Sequence, residues 1–183
     1  MLGMNSFRER RKNRQRGVGL IEIMVAVLLL SIGFLAAARM QVQGMRFSQS
    51  AYMESQAYFM ISDIMDRMRG NIDGVTDGAY NGQETRGDWA SDPGCASNFC
   101  SPAQLAQQDL FEWSANLHNL RSTDNFVSLL PGKSAADGAP AETAKGKIIS
   151  QGSGVYTIQV TWFEKIGDAD ALQTLELDFV PWL

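Results

Sequence analysis

From Val18 to Ala38 the chain runs for 21 residues with one ionisable side chain, Glu22, and no proline. A helix of that length rises about 30 Å, the thickness of a bilayer's hydrocarbon core, so the segment is able to cross a membrane. Arg8, Arg10, Arg11, Lys12, Arg14 and Arg16 precede it, offset only by Glu9. Basic flanks stay in the cytoplasm, which places everything after residue 38 on the far side.

The basic cluster also distorts the overall charge. The whole chain has a formal net charge of −4, but from Val18 onward it carries ten basic and nineteen acidic residues, a net −9. An acidic body of this kind argues against nucleic acid as a partner. The 183 residues suffice for one compact domain plus an anchor. Cys95 and Cys100, with four residues between them in SDPGCASNFCSP, are too few for a four-thiolate zinc site, and His118 is the only histidine. The expectation is therefore no metal and no cofactor. Export to an oxidising compartment would favour a local disulfide between the two cysteines; a cytosolic location would leave them reduced.

Three readings compete for the apolar segment. A conventional signal peptide cut at Ala36-Ala37-Ala38 would have an apolar region longer than usual. An uncleaved anchor fits the length. Neither accounts for Glu22, because a carboxylate one turn into a bilayer-spanning helix is costly and usually marks a pairing site. The third reading takes the leader, Gly17 and Glu22 together: RQRGVGLIEIMVAVLLLSIG resembles the class III leader of type IV pilins. That resemblance implies cleavage by a prepilin peptidase after Gly17, N-methylation of Val18, and Glu22 as the fifth mature residue. The family more often begins with phenylalanine, where this chain has Val18. In such a protein Glu22 would pair with the terminal amine of a neighbouring subunit, since charge in lipid must be paired.

Helical character continues past the apolar run, because no proline occurs before residue 93. One helix is expected from Val18 to about Asn71, roughly 80 Å long, with an Asp63–Arg67 pair near its end and Gly70, Asn71 and Gly74 as stop signals. Its apolar stripe changes sides. At about 100° per residue Met45, Tyr52 and Phe59 share one face, while Ile61, Ile64, Met65, Met68 and Ile72 lie nearly opposite. The lower face suits packing on other helices and the upper face suits a domain of its own. Six of the nine methionines fall on this stretch, in keeping with adaptable contacts. Type IVa major pilins usually have a proline where this chain has Arg39, so unwinding at that point is an open question. Gly33 and Gly44 are mild weak points.

AYMESQAYFMISDIMDRMRGN, with Asp66, Arg67, Met68, Arg69 and Asn71, resembles the corresponding stretch of the PilV family of minor pilins. Asp109 with Trp113, and the later Leu129-Leu130-Pro131-Gly132, resemble that family too. Residues 73–101 read as an irregular connection that a Cys95–Cys100 link would tie down. Ser101 and Pro102 open a second helix reaching to about Leu120, with Leu105, Leu110, Phe111, Trp113 and Leu117 on its apolar side. Trp113 is assigned to the core and His118 to the polar surface. Residues 132–147 read as an exposed loop; their GKS lacks the glycine and the context of a phosphate loop. Alternation over Tyr156–Trp162 and Leu175–Phe179 predicts a hairpin with one buried face.

The expected fold is thus α+β and pilin-like: a long amino-terminal helix, half of it transmembrane, on a small antiparallel sheet with a second short helix. Its parts would be a cleaved basic leader at 1–17, a transmembrane segment at 18–38, an extramembrane helix at 39–72 and a periplasmic domain at 73–183. The resemblance implies a minor pilin held in the bacterial inner membrane and carried into the pilus, at its tip. Its partners would be other minor pilins, the major pilin, the prepilin peptidase, the inner-membrane assembly machinery and a tip adhesin, in support of twitching motility and adhesion. A minor pseudopilin of type II secretion would share residues 17–38. A membrane-tethered hydrolase is disfavoured, because His118 has no nucleophile or acid at a recognisable spacing.

Overall fold

In the computed structural model the described residues are 19–89, 92–135, 141–166 and 169–182, so Gly17 and Val18 lie outside them. The chain divides into two units, Met1–Arg46 and Phe47–Leu183. Helix α1, Leu20–Gly70, is 51 residues long and is continuous through Gly33, Arg39 and Gly44. Gly19 starts it by accepting from the backbone N–H groups of Glu22 and Ile23. It ends in the Gly70-Asn71 step, where the N–H of Asn71 turns back to the carbonyl of Met68 at 3.2 Å.

The second unit is built around the last turns of α1. Ala57, Met60, Ile61, Ile64 and Met68 are fully buried, whereas Tyr52 and Phe59 on the opposite face are more than half exposed. The stripe therefore changes sides as the sequence predicts, and Met65 and Ile72 sit half-buried at its margin. Each large side chain buried this way contributes roughly 1.5–3 kcal/mol. A short helix not foreseen in the sequence, α2 (Ile72–Thr76), follows at once. The Asn71 carboxamide oxygen caps it by accepting from the N–H of Gly74 at 3.2 Å.

Helix α3, Pro102–Ala115, opens with a reciprocal capping box between Ser101 and Gln104. It stops five residues short of the expected Leu120. The carbonyl of Asn116, which a continuing helix would offer to Leu120, instead accepts from the N–H of Leu129 at 2.9 Å, and Leu120 turns to His118. On its inner face Ala106, Leu110, Phe111 and Trp113 are buried, as is Leu117 just beyond its end, with Leu105 only half-buried.

The expected hairpin is the larger part of a three-stranded antiparallel sheet in the order β1 (Lys145–Gly152), β2 (Val155–Ile166), β3 (Ala169–Phe179). Strand β1 corrects the reading of 132–147 as wholly loop. Lys145 and Lys147 point to solvent while Gly146 and Ile148 are buried, but a glycine at an inward position hides the alternation. Nothing larger than glycine fits there, since a Cβ on Gly146 would lie 2.5 Å from the Trp113 ring. Residues 83–85 flank β1 on its outer side, through Ile148 N–H to Gln83 and Thr85 N–H to Gly146, both at 2.8 Å. Tyr156, Ile158, Val160, Trp162 and Phe179 complete the core from the sheet.

Candidate functional site

In the first unit the apolar side chains of α1 are exposed all round, from Leu20 at 80% to Val25 at 52%. A helix apolar on every side and buried on none is suited to lipid or to other helices, not to water. The one hydroxyl among residues 20–46, that of Ser31, is satisfied within the helix, donating to the carbonyl of Val27 at 2.8 Å. Glu22 stands in the first turn, where the free N–H groups and the helix dipole favour an anion. Among the described residues no cation lies within ion-pair distance of it.

In the second unit the motif residues meet at one polar junction between α1 and α3. Arg67 donates to Asp63 Oδ1 at 3.0 Å, to Glu112 Oε2 at 2.7 Å and, at 3.5 Å, to Asp109 Oδ1. Tyr80 donates its hydroxyl to Asp109 Oδ2 at 2.5 Å and accepts from Asn71 Nδ2, which also donates to the carbonyl of Pro102. Burial raises the pKa of Asp109 despite the opposing bonds from Tyr80 and Arg67. Burial also raises that of the Tyr80 phenol. Burial would raise Glu112 too, but its bonds from Arg67 and Gln108 outweigh this and hold it below the usual range. Arg67 is likewise desolvated, yet its carboxylate partners keep it charged. Sequence reading singled out Arg67, Asn71 and Asp109 without their common role, and it missed Tyr80, which sits in the segment taken as irregular.

The junction reaches the cysteine loop through Gln108. Its Nε2 donates to Glu112 at 2.8 Å, and its Oε1 accepts from the N–H groups of Gly94 and Cys95 at 3.0 and 3.3 Å. Cys95 and Cys100 are joined as a disulfide, with Cα atoms 5.5 Å apart. Trp113 is fully buried in the core.

His118 departs from its assignment to the surface. It is half-buried, and its Nε2 is enclosed with no hydrogen-bond partner among the described residues. Burial, aided by Lys145 and opposed by Asp88, lowers its pKa. It lines a hollow of about 330 Å³ with Arg67, Glu112, Asn116 and Arg121. The Glu112 carboxylate and the Arg67 guanidinium there are already committed to one another. No group of three His, Cys, Asp or Glu side chains able to hold a metal occurs among the described residues.

The exposed apolar helix with its early carboxylate, followed by this α+β domain, is a pilin-like arrangement. In agreement, residues 12–38 match the prokaryotic N-terminal methylation motif, the prepilin-type leader. The motif implies processing by a prepilin peptidase and association with the membrane and a pilus-type assembly system. No curated protein and no solved structure matches the chain.

Proposed function

We propose that the protein is a minor pilin of the PilV type, a structural subunit and not an enzyme. The methylation motif over residues 12–38, leading into a helix exposed on all sides as far as Arg46, supports the pilin class, and the resemblance of Asp66–Asn71 and of Asp109 with Trp113 to the PilV pattern supports the minor-pilin type. The peptidase cuts after Gly17, Val18 is N-methylated, and Glu22 pairs with the terminal amine of a neighbouring subunit in the apolar interior of the filament. Before assembly residues 18–38 hold the protein in the inner membrane with its domain in the periplasm. It then joins other minor pilins and the major pilin to prime the filament, remains at the tip beside an adhesin, and so supports twitching motility and attachment. The exposed Met45, Tyr52 and Phe59 face supports contact with other filament helices, while the opposite stripe holds its own domain.

Deletion of the gene tests this. The proposal expects few surface pili and lost twitching, both restored by the full chain. Normal pilus number with impaired protein secretion would assign it instead to a type II secretion filament, whose pseudopilins share the leader.

A further inference from the structure

The two edges of the sheet are finished differently. The outer side of β1 is closed by residues 83–85, and its pairing with β2 shifts register between Ser150 and Gly152. Strand β3 pairs with β2 in unbroken register from Phe179 opposite Tyr156 to Ala169 opposite Ile166. Among the described residues nothing pairs with its other side. In an antiparallel sheet about half of an edge strand's N–H and C=O groups point away from its partner, a ready template for another strand. The usual protections are a short strand, a proline, a bulge or charged side chains, lysine above all. Residues 169–179 have no proline, bulge or lysine, and their only charges are acidic.

Charge indicates the occupant. Asp170, Glu176 and Asp178 lie on the solvent face of β3; of the lysines of that face, Lys165 of β2 stands opposite Asp170, whereas Lys145 and Lys147 belong to the far strand β1, so Glu176 and Asp178 have no lysine directly opposite them. Pairing of β3 with β3 of a second copy would set two acidic rows side by side, which disfavours self-association. Toward the core Leu175 and Leu177 are only half-buried, leaving apolar surface for a neighbouring strand to cover.

We propose that the free edge of β3 receives an extended segment of another protein as a fourth strand, basic on its solvent face and apolar on its core face. Main-chain bonds supply the affinity and the alternating side chains the selectivity. This stands on the sheet alone, so its failure would leave the minor-pilin reading intact.

The test uses the full chain in detergent micelles and a synthetic peptide of alternating valine and lysine. Binding should slow amide exchange within residues 169–179 and leave 145–152 unchanged. The same peptide with alternate backbone amides N-methylated should not bind, and one with glutamate for lysine should bind about tenfold more weakly or worse. The double variant Asp170→Asn, Glu176→Gln should weaken the lysine peptide in the same direction. Absence of protection over 169–179, or equal binding of the N-methylated or the glutamate peptide, would overturn the proposal.

Discussion

The indole N–H of Trp113, on α3, donates to the backbone carbonyl of Met60, on α1, at 3.0 Å. Both residues are fully buried, so one side chain fills the centre of the core and ties the two helices by a directed bond. Trp113→Phe keeps most of the ring but loses the donor, which should cost about 1–2 kcal/mol. Trp113→Ala should cost about 3–5 kcal/mol. Urea denaturation of the two variants checks the order; equal losses would show that the bond to Met60, and not the packing of the ring, sets the cost.

The carboxylates of the Arg67 junction titrate in opposite senses. Folding raises the pKa of Asp109, so its contribution is fully present below the unfolded value and is lost as pH rises through the folded one. Folding lowers that of Glu112, so its contribution is present above the unfolded value and is lost as pH falls through the folded one. Relative to wild type, Glu112→Gln should lose stability near pH 7 and approach parity as pH falls through the lowered pKa of Glu112. Asp109→Asn should show the reverse trend. Urea midpoints across that range measure both, and deficits independent of pH would contradict the assignment.

Tyr80 protects this junction from within. Tyr80→Phe removes the donor to Asp109 Oδ2 while leaving the ring in the core, and a buried carboxylate then lacks its strongest neutral partner. The expected loss is about 1–3 kcal/mol. In the double variant Tyr80→Phe, Asp109→Asn the combined loss should be smaller than the sum of the single losses, because the unpaired charge is gone. Simple additivity would show that the bond is not made.

Gly146→Ala would place a methyl group within 2.5 Å of the Trp113 ring from one side and 3.2 Å of Thr85 from the other. Neither neighbour is free to retreat, since Trp113 is bonded to Met60 and Thr85 accepts from the N–H of Gly146. Overpacking of about 1–3 kcal/mol is expected. An unchanged melting temperature would show that the core gives way there.

Glu22→Ala should leave leader removal unaffected, because the proposed cut after Gly17 lies on the other side of Val18. It should reduce the protein recovered in sheared filaments about tenfold or more, while the membrane pool stays full. Immunoblots of both fractions read the outcome. Normal incorporation would remove the proposed pairing of Glu22 with a neighbour's amine.

Much of this architecture is legible in the residues because it rests on strong periodic signals. The absence of proline before residue 93 specifies α1, the Ser101-Pro102 start specifies α3, and alternation over Tyr156–Trp162 exposes β2. What escapes notice depends on contacts far apart in sequence. Gly146 conceals β1 because its inward space is filled by a tryptophan more than thirty residues away. The end of α3 is set by a bond from Leu129, and Tyr80 becomes a core residue only because Asp109 and Asn71 converge on its hydroxyl. The leader and Glu22 are legible as a linear motif, whereas the shared role of Arg67, Asn71 and Asp109 emerges only in three dimensions.

The central claim concerns a covalent event at the amino terminus, so mass spectrometry of the intact protein and its amino-terminal fragment, recovered from membranes, tests it most directly. The account predicts a chain beginning at N-methylated Val18, without the basic leader. A chain still carrying Met1, or one beginning at or near Arg39, would contradict it.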